Sequence, residues 1–112
     1  MVWISCRCIK RIANLIKEEK LIYDHLGVHI TVTKSLNLVN ITFMQDTYQN
    51  EILHAVEVAT LPLNFRPKKT VGAMGHSQTM TALIELQVTE YGILRFNRSA
   101  GTFSFGSLTY SV

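Results

Sequence analysis

The spacing of hydrophobic residues along the chain changes near Gly27 from a helical period to a strand period. Over residues 9–23, apolar side chains recur at spacings of three, four and seven residues, which predicts an amphipathic helix. From Gly27 onward, hydrophobic and polar residues alternate, as they do in half-buried β-strands. We therefore predict a short N-terminal helix in a leader over residues 1–26, followed by a β domain over residues 27–112.

The predicted N-terminal helix has two open interpretations. Its apolar stripe is about two turns long, and Glu19 occupies a position that a coiled coil needs to be apolar. A stripe this short does not make a stable coiled coil by itself. The helix either packs on the β domain or is the end of a stalk that bundles several copies of the chain.

The β domain contains about seven predicted strands, separated by turn residues. Residues 28–33 and 39–43 alternate strictly and predict an antiparallel hairpin. Residues 52–60 and 93–97 are further predicted strands. This number and spacing of strands predicts an all-β fold, an antiparallel β-sandwich or barrel of jelly-roll-like type.

The clearest predicted strand is formed by residues 79–89. Its alternate residues are apolar and are expected to face the core: Met80, Ala82, Ile84, Leu86 and Val88. Leu83 has the opposite parity and is expected to face outward. We expect a second subunit or the N-terminal helix to cover it, because the strand would otherwise present a large apolar side chain to water.

In the last segment of the chain, the alternation of apolar and polar residues changes phase. Phe103 and Phe105 share one parity, whereas Leu108 and Tyr110 share the other. A regular strand cannot turn both pairs toward the core. We therefore predict a β-bulge or bend at Gly106 and Ser107, where an extra residue would restore the phase.

The only two prolines, Pro62 and Pro67, define a connector within residues 59–70. Each proline fixes its own φ and disfavours helix at the preceding residue, so Leu61 and Arg66 are expected to be extended. The connector is predicted to be rigid and to lead from a strand of one sheet to another part of the fold. Arg66 is expected to hydrogen-bond backbone carbonyls rather than a ligand.

The net charge of +3 comes entirely from residues 1–20. Residues 21–112 have six basic and six acidic side chains, so this part of the chain, which includes the β domain, is neutral. Nucleic-acid binding needs a basic face, which makes a nucleic-acid partner unexpected. No stretch reaches the roughly 20 apolar residues of a membrane span, so no membrane insertion is expected. A neutral domain suits a neutral ligand, such as a sugar, or a protein surface.

The sequence predicts no catalytic residues, no metal site and no cofactor. Cys6 and Cys8 are the only cysteines and make up a single C-x-C motif, whereas a zinc site usually needs two separated pairs of ligands. The histidines are not spaced as a local metal pair; they are His25, His29, His54 and His76. Glycoside hydrolysis needs two facing carboxylates. The candidates for them fit solvent-facing strand or turn positions, and they are Glu57, Glu85 and Glu90. We therefore predict that the protein is not an enzyme.

Five residues are the candidates for ligand binding. Sugar recognition usually needs a planar aromatic face and polar groups that hydrogen-bond in a fork. Tyr91 lies at a predicted hairpin tip, with Arg95 and Asn97 of outward parity on the following strand. His76 and Gln78 lie in a polar loop predicted to face that hairpin.

Three segments resemble the head modules of tail-tip proteins from phages of Gram-positive bacteria. GVHITV at 27–32 followed by LVNITF at 38–43 is similar to their opening hairpin. ATLP at 59–62 followed by FRP at 65–67 resembles their connector, A-T-L-P-x-G-[YF]-R-P. IEL at 84–86 followed by EYGIL at 90–94 resembles their glycine hairpin. The resemblance covers about residues 27–112.

This resemblance implies a receptor-binding head domain of a phage baseplate or tail fibre, which is a trimer and usually not an enzyme. We accordingly expect a homotrimer that binds a saccharide of the host cell surface and contacts other phage tail proteins. Its location would be the tail tip of the virion, or the host cytoplasm before assembly. One alternative is a structural baseplate or fibre-tip protein that binds no sugar. The other is a small carbohydrate-active enzyme.

Overall fold

The computed structural model describes residues 18–25, 27–78 and 82–112, which form an antiparallel β-sandwich. Its described part contains nine strands, two more than the sequence predicts. In chain order the strands are β1 (Glu19–His25), β2 (Val28–Ser35), β3 (Leu38–Gln45), β4 (Leu53–Thr60), β5 (Val71–Met74), β6 (His76–Ser77), β7 (Ile84–Val88), β8 (Ile93–Arg98) and β9 (Ser104–Ser111). The first sheet has the order β1-β2-β3-β9-β6, and the second has the order β4-β8-β7-β5. The all-β prediction is confirmed.

The predicted helix over residues 9–23 is wrong where the structure can be compared with it. Residues 19–23 belong to β1, which pairs with β2 along its whole length, from Glu19 opposite Lys34 to His25 opposite Val28. Leu21 is half-buried against the core, so this segment has the period of a strand. Pairing with β2 satisfies the backbone of these residues in place of helical hydrogen bonds. Residues 9–17 lie outside the described residues, and the β structure begins before Gly27.

Residues 28–33 and 39–43 lie in core strands as the sequence predicts, whereas β7 (Ile84–Val88) is shorter than the strand predicted over residues 79–89, because Ala82, Leu83 and Thr89 lie outside it. Ile84, Leu86 and Val88 are fully buried, and Ala82 packs against the core. Residues 79–81, which include the predicted core residue Met80, lie outside the described residues. Leu83 is 58% exposed in the single chain, in line with its predicted outward parity. The other buried hydrophobic residues are Val28, Ile30, Val32, Val39, Ile41, Phe43, Leu53, Leu61, Phe65, Leu94, Phe96, Leu108 and Tyr110.

The last strand, β9, has no bulge, so the predicted break at Gly106 is wrong. Its ladder with β3 is continuous from Leu38 opposite Ser111 to Met44 opposite Phe105. Gly106 lies under the ring of Phe43, and a Cβ added there would come within 2.8 Å of that ring. The absence of a side chain at Gly106 therefore keeps the strand regular, and Phe105 consequently faces solvent.

The connector between β4 and β5 joins the two edges of the second sheet, rather than leading from one sheet to another part of the fold. It includes one turn of 3-10 helix (Leu63–Phe65). Arg66 is extended as predicted, and its Nε donates to the carbonyl of Leu61 at 3.1 Å. Tyr110 of the first sheet donates its hydroxyl to the carbonyl of Phe65 at 2.6 Å. Burial raises the pKa of Tyr110.

A buried arginine joins the two sheets at the opposite end of the sandwich. Arg98 on β8 is 1% exposed. Its Nη1 donates to Oε1 of Gln45 on β3, and its Nε donates to the carbonyl of Glu51, both at 2.8 Å. Gln45 in turn donates to the carbonyls of Thr47 and Thr102. Burial lowers the pKa of Arg98, while the charge of Glu51 acts in the opposite direction.

Candidate functional site

The outer face of the first sheet carries a row of side chains that crosses all five strands. Strand pairing places Asp24 beside His29, His29 beside Met44, Met44 beside Phe105, and Phe105 beside His76. All five residues are exposed. We call this set the transverse row. Because neighbouring strands lie about 5 Å apart, the row spans roughly 20 Å.

One half of the transverse row is a cluster of exposed aromatic and apolar side chains. The imidazole of His76 stacks on the ring of Phe105, with 5.4 Å between ring centroids and 22° between ring planes. Phe105 is 48% exposed and Met44 is 60% exposed. We call Met44, Phe105 and His76 the aromatic platform. Exposed aromatic and apolar side chains of this kind can pack against an apolar face of a ligand.

The other half is charged and held by hydrogen bonds. His29 contacts Oδ1 of Asp24 through Nδ1, and Oδ2 of Asp46 through Nε2 at 2.9 Å. We call these three residues the Asp–His–Asp cluster. The hydrogen bond with Asp24 is the largest cause that raises the pKa of His29 above its ordinary value of 6.5. Loss of hydration opposes this rise, and the negative charges of Asp46 and Asp24 add to it.

A groove of 710 Å³ runs between the aromatic platform and the Asp–His–Asp cluster. Its volume lies within the usual range for small-molecule sites. Three hydroxyl side chains also line it: Thr31, Thr42 and Ser107. Beyond His76 a second depression continues along Gln78 and Phe103. The groove therefore combines a stacking surface, hydroxyl groups and a carboxylate that is held in place.

The five predicted ligand residues do not form a single site. His76 and Gln78 lie at the edge of the first sheet, where His76 belongs to β6 rather than to a loop. Arg95 and Asn97 lie on β8 of the second sheet, and Tyr91 is in the turn before it. The two groups therefore belong to different sheets, because β6 pairs with β9 and not with β8. Only His76 belongs to the transverse row.

The outward residues of β8 are bound to neighbouring strands. Asn97 accepts a hydrogen bond from the backbone N–H of Ala55 and donates to Oε1 of Glu85 at 3.1 Å. Ala55 has a positive φ of 47°, and the register of β4 shifts on both sides of Val56. The Asn97 side chain therefore stabilises the irregular part of β4. This role accounts for an asparagine at this position without any contact to a ligand.

The carboxylates considered for catalysis lie outside the groove. Glu57 approaches Arg95 at 4.0 Å and Glu85 accepts from Asn97, both on the second sheet. His29 and His54 also lie on different sheets. Within residues 18–25, 27–78 and 82–112, no group of three or more metal-binding side chains is arranged to hold an ion. Cys6 and Cys8 lie outside the described residues.

Sequence reasoning missed most of the groove. It did not select Met44, Phe105, Asp24 or Asp46 as ligand residues, and it considered His29 only in the search for metals. One signal in the sequence could have indicated Phe105. Its parity is opposite to that of Leu108 and Tyr110, so a regular strand that buries those two residues leaves Phe105 in solvent. The alternation of β2 and β3 already placed His29 and Met44 on the outer face.

No protein-family model matches the chain, and no curated protein sequence matches it either. Among the residues that the structure describes, no helix is long and apolar enough to cross a membrane.

Proposed function

We propose that this protein is a non-enzymatic module that binds a saccharide in the groove of the first sheet. The observation that carries the proposal is the groove, in which the exposed aromatic platform lies beside the Asp46 carboxylate, which contacts His29. Sugar rings present apolar C–H faces for stacking and hydroxyls for hydrogen bonds, so they match both halves of the row.

The aromatic platform is a reason to expect a ligand at this face. Met44 and Phe105 are neighbours on adjacent strands, and both leave much of their apolar surface in water. Contiguous exposed apolar surface often marks a binding site in soluble domains. Covering about 100 Å² of it would contribute about 2.5 kcal/mol before the entropy of binding is subtracted.

The biological setting that we propose follows the resemblance to phage tail-tip heads. The protein would be a receptor-binding domain at a tail tip or baseplate, assembled as a homotrimer and bound to other tail proteins. Each copy would bind a saccharide of the host cell wall weakly, and several copies that engage together would give a stable attachment. The protein would be found at the tail tip of the virion, or in the host cytoplasm before assembly.

The test of saccharide binding is retention on a glycan array and on purified cell-wall polysaccharide. Phe105→Ala should weaken binding about tenfold, or ~1.4 kcal/mol, because it removes the stacking surface. Leu63→Ala is the matched control, since Leu63 is an exposed apolar residue of the connector. Equal binding by the two variants would contradict the assignment of the groove.

A second candidate function, a structural tail protein without sugar binding, is favoured by the exposed apolar residues Ile22, Leu38 and Leu83. Residues of this kind also occur at protein interfaces. In that case no glycan would be retained, and a purified tail protein would bind tightly. Ile22→Ser on the first sheet and Leu83→Ser on the second would then weaken that complex.

A further inference from the structure

The Asp–His–Asp cluster gives the groove on the first sheet a net negative charge. Asp46 and His29 line it, and Asp24 contacts His29 from the neighbouring strand. The Asp–His–Asp cluster carries one net negative charge when His29 is protonated and two when it is neutral. Among the residues that the structure describes, no lysine or arginine lines the groove. A ligand in the groove therefore meets a negative potential at the end that holds Asp46.

The nearby basic residues of the described chain do not cancel this charge. Lys34 lies over the ring of Phe65, and Arg95 lies on the second sheet. Lys20 shares the outer face of β1 with Asp24 but lies four residues away, which is about 13 Å along a strand. That distance exceeds the Debye length of about 8 Å in physiological salt.

We infer that the groove selects glycans with free, positively charged amino groups over their N-acetylated or anionic counterparts. This inference rests on the proposed saccharide binding and specifies the class of saccharide.

The chemistry of an amino sugar matches both halves of the transverse row. An ammonium group donates charge-assisted hydrogen bonds to the Asp46 carboxylate, and the Phe105 ring attracts a nearby cation. N-acetylation removes the positive charge and leaves a single amide N–H as donor. A carboxylated or phosphorylated sugar would be repelled by the same carboxylate.

The geometry of the transverse row also bears on the length of the ligand. His29 and Phe105 lie two strands apart in the transverse row, about 10 Å across the sheet. An oligosaccharide of two or more rings can cover this distance, with one ring on Phe105 and the amino group of another near Asp46, which contacts His29.

The test is calorimetric titration of the full chain with three oligosaccharides of equal length at about pH 6, where aliphatic amines are charged. They are a β-1,4-linked glucosamine oligomer, its fully N-acetylated form and a uronic acid oligomer. The wild type should bind the glucosamine oligomer about tenfold or more tightly than the N-acetylated form, and the uronic acid oligomer least. Asp46→Asn should reduce the tenfold preference to about one.

Glu57→Gln is the matched control, because it removes the same charge from the second sheet, outside the groove. It should leave the preference unchanged, and circular dichroism would verify that both variants are folded. Equal affinity of the wild type for the aminated and N-acetylated forms would overturn the inference. A preference that persists in Asp46→Asn would overturn it as well.

The failure of this inference can be told apart from the failure of saccharide binding. If the array shows Phe105-dependent binding to glycans without amino groups, the inference is wrong and the proposed function stands. If no glycan binds at all, both are wrong.

Discussion

The two outer faces of the sandwich differ in how their side chains are partnered. On the first sheet, Met44 and Phe105 leave large apolar surfaces in water. On the second sheet, Asn97 is bound to two neighbouring strands and Arg95 lies near Glu57. The polar side chains named on the second sheet are used by its own strands, whereas Met44 and Phe105 on the first sheet leave apolar surface uncovered. The comparison therefore favours the first sheet as the binding surface.

The two sheets also differ in how regular their backbones are, and here the second sheet is the less regular one. The first sheet pairs in regular register through β1, β2, β3 and β9. In the second sheet, β4 shifts register twice and holds Ala55 at positive φ. Irregular backbone is often found at functional sites, but here the hydrogen bonds of Asn97 account for it. We therefore base the proposed binding site on side-chain exposure rather than on backbone irregularity.

The largest expected effect on stability comes from replacing Arg98, because its hydrogen bonds connect the two sheets. Arg98→Ala should lower the free energy of unfolding by about 3 kcal/mol, because the buried Gln45 side chain and the partly buried Glu51 carbonyl lose their donor and the core loses a long side chain. The measurement is urea denaturation. Arg95→Ala is the matched control on the same strand, and its partly exposed pair with Glu57 at 4.0 Å should contribute less than about 0.5 kcal/mol. Similar losses in both variants would show that Arg98 does not connect the sheets.

The next effect compares one glycine from each sheet. Gly106→Ala should destabilise the fold by about 2 kcal/mol, because the added methyl group meets the ring of Phe43 at 2.8 Å. In Gly72→Ala on β5, the methyl group meets its nearest atom, the Leu86 carbonyl oxygen, at 3.4 Å. That variant should stay within about 0.5 kcal/mol of the wild type. Denaturation midpoints of the two variants test the difference, and a neutral Gly106→Ala would mean that the strand tolerates a side chain there.

A smaller effect separates the asparagines of the two faces. Asn97→Ala should cost about 1.5 kcal/mol, since the N–H of Ala55 and the carboxylate of Glu85 lose their partner. Asn40 on the first sheet accepts one exposed hydrogen bond from Thr109, so Asn40→Ala should cost less than about 0.5 kcal/mol. Thermal unfolding of both variants gives the comparison. If Asn40 proved the more important of the two, the description of the second face as the better partnered one would be wrong.

The smallest effect is the pH dependence of the Asp–His–Asp cluster. Because the folded protein raises the pKa of His29, protonated His29 stabilises the fold below its unfolded value of 6.5. This contribution is lost as the pH rises from 6.5 through the raised pKa. The melting temperature of the wild type should therefore exceed that of His29→Gln at about pH 6, and the gap should narrow toward about pH 8.5. A gap that widens with pH would contradict the observed hydrogen bonds.

The strands could be predicted from the sequence where their alternation is strict, as in β2, β3, β7 and β8. β1 could not, because Leu21 and Tyr23 continue a helical spacing from upstream, and only pairing with β2 makes them a strand. Propensity gives no information about such distant partners.

The site was harder to predict for the same reason. The sequence indicates His76 as a ligand candidate but groups it with Tyr91, because the pairing of β6 with β9 depends on contacts distant in sequence. Phe105 was placed inside because large aromatic residues usually are. The small size of Gly106 changed that outcome, since it let Phe43 fill the core from the opposite strand.

The pairing of β3 with β9 has a consequence for biosynthesis. Met44 and Phe105 are neighbours in the aromatic platform, yet β9 follows every other strand of the sandwich in chain order. Chains emerge from the ribosome with the N-terminal end first. A nascent chain that stops before β9 lacks both the platform and the central pairing of the first sheet. The proposed binding groove therefore forms only after β9 has been translated, when the strands of both sheets have been synthesised.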